Sequence, residues 1–405
     1  MISTGRISRV ARLARLAPAA LGGDAEGALM YEVLGSLKGG AQKLGQTLAL
    51  VSDGMPAPVR ARLGALFGDA PPLPWVEAEA VLAQELGDLD AIFADFQREP
   101  MASASLGQVY RARLLDGRDV AVKVQYPGVA QALKSDLANL DLAALPATAL
   151  MAAGPMFRDL RDAVLGELDY EAEARRGEQM RAAVAPWPDL VVPELVRHAS
   201  TRRVLCTTLL EGSTLHAAVD SLPASRRPLL ARQLVAALLG PIFSAGLINA
   251  DTHPGNLMLL HGDRLGLIDF GAVAPVLPAR VLRLNRAMDA LLAGRGDADT
   301  LRDLGVEPGP NPRLIAELVG LLEPLGPGEW DFARDDLMER LAASKRNNAL
   351  ALRHFRLQND VLPIIRATTG LHHNLCRVGV PFALGRALSV VRATGADRAD
   401  GLRCG

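Results

Sequence analysis

The spacing of apolar and polar positions changes several times along these 405 residues. Residues 26–66 repeat at helical spacing, broken by Gly39-Gly40 and by Asp53-Gly54-Met55-Pro56. Pro71-Pro72-Leu73-Pro74 is a stiff connector and predicts a boundary. Residues 75–86 return to helical spacing. Residues 92–98, 107–115 and 118–125 then read as strands. Asp116-Gly117 between the last two predicts a hairpin, because glycine supplies the positive φ of a tight turn. Tyr126-Pro127-Gly128 ends the second strand of that pair. Helical spacing dominates to about Met180, and further strands are expected at 191–196 and 203–209. From Glu211-Gly212 onward the pattern is mostly helical, interrupted by short apolar strands at 257–260 and 265–268. Residues 305–312 and 326–328 read as loops between helices. The expected organisation is a helical extension over 1–74, a strand-rich lobe over 75–210 and a helical lobe over 211–405.

Chemistry enters at three places on this frame. Val120-Ala121-Val122-Lys123 ends an alternating strand on a cation. Asp251 and Asn256 have D-x-x-x-x-N spacing, and Asp269-Phe270-Gly271 follows the 265–268 strand directly. A bound triphosphate needs a cation on its α and β phosphates, which Lys123 supplies. It needs Mg²⁺ held by hard oxygen ligands, for which Asp269 and Asn256 are the candidates. It needs a carboxylate to orient the nucleophile, and Asp251 fills that role. Any one segment arises by chance. The ordered set predicts a protein-kinase-like, two-lobed α+β fold that binds ATP or ADP with Mg²⁺ between its lobes.

Four further segments carry a family resemblance. They are Lys43-Leu44-Gly45-Gln46, the Ala-rich stretch from Pro100 to Val109, Glu167-Leu168-Asp169-Tyr170 followed by Glu173-Ala174, and His253-Pro254-Gly255-Asn256. Together they resemble the K-x-G-Q, Ala-rich loop, E-x-D and H-P-G-N signatures of the UbiB (AarF) family of atypical kinase-like proteins. The resemblance implies a role in coenzyme Q or related prenyl-lipid metabolism, with a prenyl-lipid or phenolic precursor as candidate partner. It implies that Lys123 pairs with Glu173, and that Ala102, Ser103, Ala104, Ser105 and Val109 line the nucleotide. It also implies that the extension carrying K-x-G-Q folds over the active site. Lys43 and Gln46 would then meet Glu167 and Asp169 and restrict access by protein substrates; the alternative is that the two carboxylates help with metal or phosphate. Methyl groups on Ala102 and Ala104 narrow the backbone range that glycines give an ordinary kinase loop. Three positions depart from the pattern: Asn249 stands where the family has His, Thr252 where it has Pro, and Arg176 where it has Asn. Arg176 is expected to lie outside the chemistry, and His253 to be structural.

Composition narrows the partners. Net charge is −1 and aromatic content 4%, which offers neither a basic footprint nor a stacking surface for nucleic acid. Cys206, Cys376 and Cys404 have no metal-ligand spacing and fit a reducing, cytoplasmic setting. No window reads as a signal peptide or transmembrane span. Arg6, Arg9, Arg12 and Arg15 alternate with Ile7, Val10, Leu13 and Leu16, and no acidic residue precedes Asp24. On a helix these form adjoining basic and apolar stripes, suited to the anionic inner face of a membrane. Two other functions fit the same residues: a small-molecule phosphotransferase, and a nucleotide-binding pseudokinase scaffold.

Overall fold

The computed structural model describes residues 74–131 other than Ser105, Gly166, 168–348 and 354–401. In chain order the principal elements begin with α1 (Trp75–Leu86), β1 (Phe93–Phe96), β2 (Ala102–Ala104), β3 (Gly107–Leu114) and β4 (Asp119–Gln125). There follow α2 (Tyr170–Val184), β5 (Leu190–Val191), β6 (Val204–Thr208), β7 (Gly212–Thr214), α3 (Leu215–Ala218) and α4 (Arg227–Ala245). Next come β8 (Leu247–Asn249), β9 (Leu257–Leu260), β10 (Arg264–Leu267), β11 (Val273–Pro275) and α5 (Pro278–Leu292). The last are α6 (Ala298–Asp303), α7 (Pro312–Gly320), α8 (Leu337–Asn347), α9 (Leu362–Val378) and α10 (Leu384–Gly401).

Packing sorts the chain into two units. One holds the described residues up to Ala174 together with Leu195–Leu209, and the other holds Arg175–Glu194 and the chain from Leu210. The division expected near 210 is close to that at Leu209, but 175–194 goes with the helical unit. The reason is burial: Met180, Val184, Leu190 and Val192 belong to the core of that unit.

In the first unit an antiparallel sheet runs β1-β3-β4-β6, with β2 also paired to β3. Alternation sets its faces. Tyr110, Ala112 and Leu114 of β3 and Val120, Val122 and Val124 of β4 point into one core. Ala78, Val81 and Leu82 of α1, spaced i, i+3, i+4, cover it. Trp75, Phe93, Phe96 and Tyr110 close its end with ring centroids 5.2–5.7 Å apart. The Asp116-Gly117 turn is present, with Gly117 at φ 88°.

The second unit is built around α4, an apolar helix buried on nearly every side. Among the described residues the 224–245 helix is long and apolar enough to cross a membrane, but 78% of its apolar window is buried within the protein. It is a core helix, packed by α9 and α10. A four-stranded sheet, β5-β10-β9-β7, and the β8–β11 hairpin complete the unit.

Two strand expectations are corrected. Residues 191–196 do not form one strand. Leu190–Val191 pairs in parallel with β10, whereas Leu195 bridges to Thr207 in the other unit. Pro193 lies between and has no N–H to donate to a ladder. The Ala-rich stretch, expected as a loop, contains a strand: Ala102–Ala104 folds back on Gly107–Val109 as a tight hairpin.

Candidate functional site

In the first unit, Lys123 stands on the face of β4 opposite the valine core. Its Nζ donates to both carboxylate oxygens of Glu173, at 2.8 and 3.0 Å. The lysine side chain is 18% exposed and the glutamate 5%, so the pair is largely shielded from water. Nζ also lies 4.9 Å from the ring centroid of buried Tyr170, a cation–π contact that the sequence reading did not anticipate.

Register decides which candidates share this face. Ala102 is opposite Val109, Val109 opposite Lys123, and Lys123 opposite Leu205. Ala102, Val109 and Lys123 therefore form one row, with Ala104 one step along the same face of β2. Ser103 is opposite Gln108, on the other face, so the structure does not bring it into that row. Gly107 lets the start of β3 run close against β4. A Cβ there would lie 2.1 Å from the Val124 carbonyl oxygen.

Asp169 has a structural task. Its Oδ1 accepts the Ala172 N–H at 2.9 Å and caps the start of α2, satisfying a backbone donor that would otherwise lack a partner. Lys43, Gln46, Ser105 and Glu167 lie outside the described residues, as does the 6–15 segment.

In the second unit, the antiparallel pairing of β9 with β10 sets Leu257 opposite Leu267. One step further, the Ile268 N–H donates to the Asn256 carbonyl at 3.1 Å. This brings Asn256 beside the 268–271 segment. The β8–β11 pair sets Asn249 opposite Val273, and the Ala250 N–H bonds the Ala272 carbonyl at 3.1 Å. Asp251 is thereby placed beside the same segment. Asp269 Oδ1 accepts the Gly271 N–H at 2.9 Å, and Phe270 is buried in the core. Asp269 and Asn256 offer oxygen donors only, a set that fits Mg²⁺.

Asn249 is buried and uses both ends of its amide. Nδ2 donates to the Asp269 carbonyl at 2.8 Å, and Oδ1 accepts the Asp251 N–H at 3.0 Å. Arg176, expected to lie outside the chemistry, instead donates from Nη1 to the Gly271 carbonyl at 3.0 Å. Its neighbour Gly177 packs on the Phe270 ring. A polar residue two places before Asp251 was the sequence signal for the first contact. Nothing in the sequence signalled the second.

His253 orders its own turn. Nδ1 accepts the Gly255 N–H at 3.1 Å, which leaves the ring proton of a neutral imidazole on Nε2. Desolvation, aided by repulsion from His216, His373 and Arg377, holds its pKa below the ordinary value against the opposing pull of Asp251. Beneath the loop, buried Thr252 packs against Gly370, and Asn374 Nδ2 donates to its carbonyl at 2.9 Å.

A second polar cluster, Asp335, His372 and Cys376, has ligand-type atoms within 4.8 Å of one another. Asp335 already accepts from Trp330 Nε1, the Leu337 N–H and His372. Burial and the Asp335 carboxylate push the Cys376 thiol pKa up to about 12, so it stays protonated. These bonds make the cluster a clamp between α9 and the 330–337 segment.

Residues 65–299 match the ABC1 atypical kinase-like domain. The chain is 35% identical over 253 residues to "Atypical kinase coq-8, mitochondrial" of Caenorhabditis elegans, covering 58% of this chain and 32% of the worm protein. It is 31% identical over 229 residues to "AarF domain-containing protein kinase 1" of Xenopus tropicalis, covering 54% and 42%. The matches thus take in less than half of either relative. Among solved structures, the Rv3197–erythromycin complex from Mycobacterium tuberculosis superposes with a TM-score of 0.66 at 28% identity, covering 91% of this chain and 95% of that one.

Proposed function

Because the chain belongs to the UbiB/AarF family of ABC1 atypical kinase-like proteins, with its α+β kinase-like fold, we propose that it is an Mg-ATP-dependent atypical kinase or ATPase. Its setting is ubiquinone or related prenyl-lipid metabolism at a membrane surface. The observation that carries this reading is the shielded Lys123–Glu173 pair, made through two hydrogen bonds. A lysine fixed in this way presents its charge at one place, as a phosphate contact requires.

The roles follow from chemistry. Lys123 binds the α and β phosphates, and Glu173 fixes its position. Ala102, Ala104 and Val109 line the adjoining face. Asn256 and Asp269 hold Mg²⁺, which when bound offsets phosphate charge. Asp251, with its amide held by Asn249, accepts a hydrogen bond from water or from the hydroxyl of a prenyl-lipid or phenolic acceptor. Lys43 and Gln46, acting with Glu167 and Asp169, keep protein acceptors out.

The test is phosphate release from ATP with and without vesicles containing anionic lipid, beside radiolabelled transfer to generic protein substrates. The expected result is Mg-dependent turnover, raised by the vesicles and abolished by Asp269→Asn, with little protein labelling. Robust labelling of generic proteins would overturn the exclusion of protein acceptors. Tight Mg-ATP binding without turnover under any condition would favour the pseudokinase scaffold.

A further inference from the structure

We propose that Asn249 and Arg176 are positioning residues that lock Asp269 before any ligand binds, and that Asn249 ties this lock to Asp251. The inference rests on the metal and base roles given above to Asp269 and Asp251.

The geometry gives the 269–271 segment three fixed points. The Asp269 carbonyl takes the Asn249 amide, the Gly271 carbonyl takes the Arg176 guanidinium, and the Asp269 carboxylate accepts the Gly271 N–H across the turn. A fourth constraint is apolar. Phe270 is buried, and a Cβ on Gly177 would sit 3.1 Å from its ring, so α2 lies directly against the segment. These bonds hold the backbone from which the Asp269 side chain projects, so a turn of that backbone would carry the carboxylate away. That would break the Asn249 and Arg176 bonds and expose Phe270.

Asn249 does more than hold one carbonyl. The residue is 3% exposed, and each end of its amide has a different partner. A buried amide that loses one partner keeps the desolvation cost of the orphaned atom. Both partners are therefore needed to keep the amide satisfied. Displacing Asp269 frees Nδ2, and the ring formed by Asn249, Asp251 and Asp269 opens on the Asp251 side as well. Metal affinity and the placing of Asp251 become one property of the loop.

Aspartate at position 249 separates this role from general packing. It has nearly the same shape and still accepts the Asp251 N–H. When ionised, however, it cannot donate to the Asp269 carbonyl and sets like partial charges against each other. Arginine 176 can be replaced by methionine, which keeps much of the apolar stem and removes the donors.

The experiment uses the full chain and two readouts. Calorimetry of ADP binding across a Mg²⁺ series reads the metal step, and amide hydrogen exchange at Asp251 and at 269–272, without ligand, reads the lock itself. Asn249→Asp and Arg176→Met are each expected to lower the Mg²⁺ enhancement of ADP binding roughly tenfold, with metal-free ADP affinity unchanged. Exchange at 269–272 should speed up in both, and exchange at Asp251 more in Asn249→Asp than in Arg176→Met. Unchanged Mg²⁺ dependence and unchanged exchange in folded variants would overturn the proposal. So would an equal loss of metal-free ADP affinity, which marks a merely structural role. Should Asn249→Asp fail to fold, Arg176→Met decides alone through the 269–272 exchange. If the wild-type chain binds no Mg-ADP, the kinase reading fails, and the exchange experiment still tests the lock separately.

Discussion

An ion pair shielded from water is costly to break from one side. Lys123→Met would remove the ammonium that donates to both oxygens of the Glu173 carboxylate, which is 5% exposed. We expect a loss of roughly 3 kcal/mol of stability, measured by chemical denaturation, together with loss of turnover. The double replacement Lys123→Met/Glu173→Gln should recover part of that stability and none of the activity, because the buried negative charge is gone but the phosphate contact is not restored. His253 gives a second prediction, in pH. Its folded pKa lies below the ordinary 6.5, so between the two values the unfolded chain binds more protons. Its contribution to stability is present above about pH 6.5 and lost as pH falls through the folded value. Thermal melts between pH 5 and 7.5 should show a shallower acid decline for His253→Gln than for the wild type. An unchanged slope would count against this account of His253.

Helix α9 supports the 251–256 loop through close approach. Gly370 is an interior helical glycine, which costs about 1 kcal/mol relative to alanine, and the geometry explains its presence. A Cβ there would fall 1.6 Å from Thr252 Oγ1 and 2.8 Å from its Cβ. Gly370→Ala should therefore destabilise despite the gain in helix propensity, by about 2 kcal/mol or more. In a Thr252→Ala background the penalty should shrink, because the hydroxyl that makes the closest contact is gone; additive losses in a double-mutant cycle would refute the contact. The hairpin of β2 with β3 works the same way in the other unit. There the start of β3 passes so close to β4 that only Gly107 fits beside the Val124 carbonyl.

At the scale of the whole molecule, α4 spends its apolar faces on the core. The basic 6–15 segment is a candidate for membrane association, at about 1 kcal/mol per arginine near an anionic surface. Removing residues 1–20 should weaken co-sedimentation with anionic vesicles at low salt, and raising salt should weaken it for the full chain. Identical pelleting with and without the segment would exclude it. The sequence by itself determined much of this protein. Period-2 runs located β3 and β4 to within a residue or so, an Asp-Gly pair located their turn, and ordered motifs marked Lys123, Asp251, Asn256 and Asp269 as candidates. These signals are local or separated along one chain by fixed spacing, so a linear reading reaches them. Only the tertiary structure decided which partners those residues meet. It split 191–196 between two sheets, moved Ser103 off the lysine face by register, and made Asp169 a helix cap. It also brought Arg176 to Gly271 across 95 residues of chain. A hydrogen bond between distant segments depends on how strands register and helices pack. Those are set by burial summed over the whole core, and no short stretch of sequence contains that sum.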